Sequence, residues 1–482
     1  MPAGPPAPTT GPPRYRGRDA AASPLYGIVQ DHLEDYIVSL RAPSDRRPLP
    51  HPAVENSLRS FLECGIPRFG VVRFRCEGCG HDLFVPFSCK RRGVCPSCDA
   101  KRAVAGVAYA ADNLLPEVPY RQWVLVVPKR IRYFLHRRPE VAGELSRILA
   151  RAISRHLERE AGPGSPAQIQ FIQRFGESLN LHLHVHAVIS EGVFSKKAGP
   201  LVPGLAFHPA DPPSEAELHA LTEEIRRKVL KRFTRLGVIP EETATAMLSW
   251  PHSGFSLHAR VAVAPGEREG LERLLRYCAR PALSIKRLRY NRDKGLAIYR
   301  TDGRGTGKPK RLEMEAVEFL RRFALLAPPP KRNTVRYYGV LAPSSPLRPL
   351  IVHEAQQRSG ESNRARLIPA LKTPNTLERA KETIRAYSKS WAACLSRIFE
   401  IEPLVCPRCA GALVPVAAIF ADHELTRLLE HLKLPTEFPK TALPRGDNAF
   451  PMTHGPPESQ LDPLADQYLG IDEDPNADFL PA

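Results

Sequence analysis

Apolar positions along the chain follow two periods. The sharpest stretch is Leu181, Leu183, Val185, Ala187 and Ile189, every second residue, with His182, His184 and His186 between them. A period of two predicts a β-strand with one apolar face and one face of imidazole. Side chains on one strand face repeat at about 6.8 Å, twice the strand rise. Two neighbouring imidazoles can therefore lean onto one divalent cation or one phosphate. Gln122–Val127, Ile169–Phe175 and Phe255–Val263 read as further strands. Gly176–Asn180 reads as a turn, so 169–175 should pair antiparallel with the histidine strand as a hairpin. Helical spacing recurs over Leu25–Leu40, Val54–Cys64, Lys101–Leu115, Val141–Leu157, Ser214–Leu236, Gly266–Arg280 and Trp391–Phe399. Strand, helix, strand, strand is an α+β order, with helices expected on one face of an antiparallel sheet.

These elements divide the chain. Residues 1–24, rich in Pro, Gly, Ala and Arg, are expected to be a disordered arm; 25–110 hold a cysteine-rich head, and 111–305 the histidine strand with a helical insertion at about 195–250. Residues 306–435 are a basic C-terminal region, and 436–482 an acidic, disordered tail in which Lys and Arg stop after Arg445. Composition sharpens this picture in one respect. Lys and Arg number 69 against 51 Asp and Glu, for a net charge of +18 over 482 residues. That excess points to a polyanionic partner, and without a long apolar segment nucleic acid outranks a membrane. Met1–Thr10 lacks the order of a secretory signal, so the expected location is cytoplasmic and the ten cysteines read as metal ligands or thiols, not disulfides.

Cys76-Glu-Gly-Cys79 and Cys95-Pro-Ser-Cys98 have the spacing of a zinc ribbon, so Cys76, Cys79, Cys95 and Cys98 are the expected ligands of a structural Zn²⁺. Cys89 is the thiol able to displace one of them; Cys64 lies just upstream. Lys90, Arg91 and Arg92 form a basic rim suited to phosphate. Cys406-Pro-Arg-Cys409 is a lone third knuckle and weak evidence by itself. In the helix over 266–280, Leu271, Leu274, Leu275 and Cys278 make an apolar stripe; Arg273, Tyr277 and Arg280 share a face beside it, where a phosphodiester would be held. A tyrosine there can equally be a packing residue. Basic residues interleaved with Tyr290 and Tyr299 over 286–311, with a turn at Asp302-Gly303, suit a nucleic-acid backbone.

Cys89-Lys-Arg-Arg-Gly-Val-Cys-Pro-Ser-Cys98, Phe171-Ile-Gln-Arg-Phe-Gly176, Leu179–His186, Glu191-Gly-Val-Phe194, Arg276-Tyr-Cys-Ala-Arg-Pro281 and Val335–Pro343 together resemble the transposases of the insertion sequence 91 family. The resemblance implies a zinc domain followed by the histidine-hydrophobe-histidine nuclease fold of rolling-circle proteins. His184 and His186 would hold Mg²⁺ or Mn²⁺; the strand pattern leaves His182 as a third ligand or as a residue supporting the other two, and Gln173 and His258 are further candidates for the third position. Tyr277 would be the nucleophile on single-stranded element ends, leaving a 5′-phosphotyrosine. Pro281 follows four residues after Tyr277 and Arg273 precedes it by four, so the chain resembles the single-tyrosine branch. A second protomer, making a homo-oligomer, or an activated 3′-hydroxyl would then complete the cycle. Two other readings remain open at this stage: a three-histidine zinc hydrolase, and a zinc-ribbon DNA-binding protein without catalysis.

Overall fold

The computed structural model describes residues 21–41, 49–197, 204–250, 254–301, 303, 308–355 and 405–444. Residues 1–20 of the expected arm, the helix expected over Trp391–Phe399 and the acidic tail from 445 onward lie outside the described residues. Helix α1 (Pro24–Leu40) begins where the Ser23 hydroxyl accepts the Tyr26 N–H at 3.2 Å, with proline in the first turn. Helix α2 (Ala53–Glu63), strands β1 (Val71–Cys76) and β2 (Asp82–Pro86), and helix α3 (Pro96–Asn113) complete the head. Next come β3 (Tyr120–Val126), α4 (Lys129–Arg137), α5 (Ala142–Ala161), β4 (Ala167–Phe175) and β5 (Leu181–Ser190). The pair β6 (Gly192–Lys197) and β7 (Gly204–Pro209) leads into α6 (Glu215–Arg235), started by a Ser214–Glu217 capping box, and α7 (Glu241–Leu248).

The stretch expected as one strand over 255–263 is two short pieces, β8 (Ser256–His258) and β9 (Ala262–Val263), both paired with β3. Between them the carbonyl of Ala259 leaves the ladder and accepts from the Arg121 guanidinium at 2.6 Å. A buried side chain thus replaces a strand partner, which alternation cannot show. Helix α8 (Arg268–Cys278) follows, then β10 (Leu288–Asn291), β11 (Leu296–Arg300), β12 (Arg311–Glu315), α9 (Ala316–Leu326) and β13 (Val335–Gly339). Strand β14 (Leu413–Ile419) and helix α10 (Asp422–His431) close the described chain. Among the described residues no helix is long and apolar enough to cross a membrane.

The central sheet is antiparallel in the order β13-β4-β5-β3-β8, with β9 also on β3. The expected hairpin of β4 with β5 is present, and its register sets Gln173 opposite His184 and Phe171 opposite His186. Val124 faces His186 on one side and His258 on the other, so both histidines project from the same face. On the opposite face Leu183, Val185, Ala187 and Ile189 pack with Trp123 and Leu125 beneath α5 and α6. Each of the leucine, valine and isoleucine side chains contributes about 1.5–3 kcal/mol by leaving water.

The fold is α+β, a mixture of helices with antiparallel sheet, but helices cover both faces instead of the expected one. The histidine face also carries Val188, with Ile169 and Phe171 from β4 and Tyr120 from β3, and these need a cover of their own. Leu271, Leu274, Leu275 and Cys278 of α8, with Val107, Ala110 and Ala111 of α3, supply it. In the head, Leu25, Ile28, Leu33 and Phe61 form one core with Leu288, Phe319, Leu320 and Phe323, so the first helices and the 288–326 segment fold together.

Candidate active site

On β5, His186 is fully buried and His184 nearly so. Their Nε2 atoms lie 3.1 Å apart. Burial pushes the pKa of His184 down to about 4, and holds His182 and His186 well below the usual histidine range. All three rings are neutral at pH 7, the form that ligates metal. His184 Nδ1–H donates to the carbonyl of His182 at 2.9 Å, which directs its Nε2 lone pair into the site. His186 Nδ1 lies 3.0 Å from the Gln122 amide, whose Oε1 is buried and accepts no hydrogen bond. Turned by half a revolution, that amide would accept Nδ1–H from His186 and free its Nε2 lone pair as well. Neighbouring ligands about 2.1 Å from an octahedral cation are about 3.0 Å apart, so the pair fits one divalent ion. Gln173 Oε1, on the strand opposite His184, is likewise buried without a donor.

Helix α8 brings the tyrosine. Its apolar stripe seats on the sheet, and the Gln173 amide donates to the Cys278 carbonyl at 2.8 Å, tying the last helical turn to β4. Tyr277 consequently stands edge-on to His186, ring centroids 5.4 Å apart and planes at 86°. Arg280, just past the helix end, places its guanidinium carbon 4.8 Å above the Tyr277 ring. Arg273 differs from expectation: it is exposed, 3.9 Å from Glu267, because a helix ending at Cys278 with Leu274 and Leu275 buried turns position 273 outward. A cavity of about 230 Å³ runs from Gln173 and Arg280 past Phe171 and Tyr337 to Arg92 and Arg102 of the head. Gly93 keeps this loop against the 327–328 backbone: at φ +75°, a Cβ there would meet Pro328 at 2.3 Å. Lys90 and Arg91 are exposed, whereas Arg92 donates to the Pro329 carbonyl at 2.8 Å.

The cysteines regroup. The expected set of Cys76, Cys79, Cys95 and Cys98 is not brought together. Cys64, Cys89, Cys95 and Cys98 form one group; Cys76 and Cys79 join Cys406 and Cys409 in another. The reason is that α2 ends at Cys64 beside the first turn of α3, where Cys98 sits, whereas β1 carries Cys76 away along its own sheet. In the first group Sγ–Sγ distances are 3.6 Å for Cys64–Cys95, and 3.8 Å for both Cys64–Cys98 and Cys89–Cys98. Thiolates about 2.3 Å from a tetrahedral zinc lie about 3.8 Å apart, so this group fits zinc. Cys64 and Gln122 were the residues passed over by sequence. Cys64 lacked an x-x partner, and Gln122 was visible only as a polar residue on a strand face otherwise made of Tyr120, Val124 and Val126.

Residues 28–127 match the family described as "Transposase zinc-binding domain", and residues 168–348 the family described as "Putative transposase". The chain is also 27% identical over 282 residues to a protein of Sinorhizobium fredii named "Putative transposase y4qJ", covering 55% of this chain and 69% of that one. No solved structure matches it.

Proposed function

We propose that this chain, which belongs to the insertion sequence 91 type of transposase, cuts single-stranded DNA at element ends through Tyr277 by the rolling-circle route. Transposase membership brings DNA as the partner. The observation that carries the finer proposal is the edge-on contact of Tyr277 with His186, beside two Nε2 atoms 3.1 Å apart that suit one cation. The phenolic oxygen attacks the phosphorus, the P–O3′ bond breaks, and the 3′ oxygen takes up the proton the phenol gives up. Tyr277 is left as a 5′-phosphotyrosine, and the phosphoester bond is kept for rejoining. His184 and His186, with Gln173 Oε1 nearby, would hold Mg²⁺ or Mn²⁺, which when bound polarises the scissile phosphate. Arg280 holds positive charge over the tyrosine ring, close to where the phenolic oxygen would meet a phosphate.

The test is incubation of the full chain with labelled oligonucleotides of candidate ends, with Mg²⁺ or with EDTA, followed by peptide mapping. A metal-dependent adduct on Tyr277 supports the proposal; metal-dependent cleavage without an adduct points to a water-activating histidine site and overturns it. Gln122→Leu removes the partner of His186 Nδ1 at nearly constant volume. It is expected to weaken Mn²⁺ binding by about 10- to 100-fold in calorimetry, with an unchanged circular dichroism spectrum.

The groove past Arg92 and Arg102 is proposed as the track of the single strand that flanks the cut. Each phosphate contact to single-stranded DNA contributes about 0.7 to the slope of log K against log salt. The double change Arg92→Ala, Arg102→Ala should lower that slope by roughly 1.4 in anisotropy titrations across KCl. An unchanged slope would take the strand elsewhere.

A further inference from the structure

The two cysteine knuckles furthest apart in the chain are built alike. In the first, Cys76 N–H donates to the His81 carbonyl and Gly80 N–H to the Cys76 carbonyl, at 2.8 and 3.0 Å. In the second, Cys406 N–H donates to Gly411 and Ala410 N–H to Cys406, at 2.8 and 2.9 Å. Each pattern is the same count along the chain, and the residue after the second cysteine is left-handed in both: Gly80 at φ +68° and Ala410 at φ +59°. Alanine pays a steric cost there that glycine does not. The knuckles face each other, with Cys76 and Cys409 Sγ 3.4 Å apart and Cys79 and Cys406 Sγ 3.6 Å apart. The Arg408 N–H points at Cys406 Sγ at 3.4 Å, as a donor to a thiolate would.

We infer that Cys76, Cys79, Cys406 and Cys409 hold a second zinc ion, which clasps residues 405–444 onto the head. The Sγ separations are slightly tighter than the roughly 3.8 Å of a tetrahedron of thiolates, and at near 3.5 Å they are too long for a disulfide, whose sulfurs lie about 2.05 Å apart. Cys406 and Cys409 lie beyond both matched family segments, so the site is closed by a part of the chain that neither includes. What the clasp holds is otherwise thin. Strand β14 pairs with β1 from Val71↔Ile419 to Cys76↔Leu413, but among the described residues the buried apolar side chains beneath are few, Val71, Leu425 and Leu429 beside Cys76, Cys406 and Leu413. Phe74, Leu83, Phe84, Ile419 and Leu428 are half-buried around them. Arg68 reaches Asp422 at 2.5 Å and Phe438 packs on Phe69 at 5.2 Å, near the surface. A core that small does not hold a strand and a helix in place without a cross-link. Cys79 and Cys409 are exposed, while no cysteine of the first group is. The second ion should therefore leave first under chelation.

The experiment is zinc content and cysteine alkylation of the full-length protein purified with zinc. Two zinc ions per chain are expected, falling to one in Cys406→Ser, Cys409→Ser, which should also lose 405–444 to limited proteolysis while the rest resists. One zinc in the parent, or two in the double variant, would overturn the clasp. Alkylation of the unmutated protein during graded chelation keeps the test independent of folding in the variant. Cys76, Cys79, Cys406 and Cys409 should react together and ahead of Cys64, Cys89, Cys95 and Cys98. Reaction of Cys406 and Cys409 with iodoacetamide before any chelator is added would also overturn it.

Discussion

Tyr277→Phe is expected to abolish both strand cleavage and the protein-DNA adduct, while leaving DNA binding and stability in place. The change removes one oxygen from a half-buried ring whose edge stays against His186 and whose face stays under Arg280. Phenylalanine keeps the ring and loses only the hydroxyl, so stability should move by no more than about 1.5 kcal/mol, the scale of one hydrogen bond. In the proposed mechanism phosphoryl transfer depends on it entirely, because that oxygen forms the new P–O bond. Loss of a covalent nucleophile costs on the order of 10⁴-fold or more in rate. Denaturing gels of labelled oligonucleotide, with anisotropy on the same samples, separate the two effects. Undiminished nicking by Tyr277→Phe would mean that water is the nucleophile and that the histidines work without the tyrosine.

The second large effect is on the head. Cys95→Ala should remove one zinc and melt the head well below the parent. Cys95 is fully buried at the start of α3, among Cys64, Cys98 and Val94, in the core that also contains Leu58 and Leu326. A structural zinc in a small domain is worth about 10–16 kcal/mol of apparent binding energy, a large part of what keeps such a fold together. Cys278→Ala is the matching control. It also empties a fully buried thiol, but one belonging to neither cysteine group, and should cost only about 1–2 kcal/mol. Thermal unfolding with zinc analysis on both proteins checks the pair. Equal losses of stability would show that Cys95 acts by packing alone.

The local code was strong where one element decided the outcome. Alternation over 181–189 was enough to place three imidazoles opposite an apolar face, because strand geometry leaves no other arrangement. The stripe of Leu271, Leu274, Leu275 and Cys278 likewise fixed which side of its helix is buried. Pairing of 169–175 with the histidine strand followed from a five-residue turn between two strand patterns. What failed were matters of distance between segments. Cys76–Cys79 and Cys95–Cys98 look like one ribbon by spacing, yet each finds partners elsewhere, Cys64 and Cys89 in one case and Cys406 and Cys409 in the other. A period says nothing about which thiol lies across space.

The chain's residues alone therefore determined the antiparallel α+β class, the strand face of histidine and the tyrosine on a basic helix, since each rests on spacing within one element. Only the tertiary structure decided that Tyr277 meets His186, that Arg280 stands over it and Arg273 does not, and that Gln122 backs the histidine pair. It alone decided, too, which cysteines share a site. Those are relations between elements many residues apart, set by how α8 seats on the sheet and how β14 returns to β1.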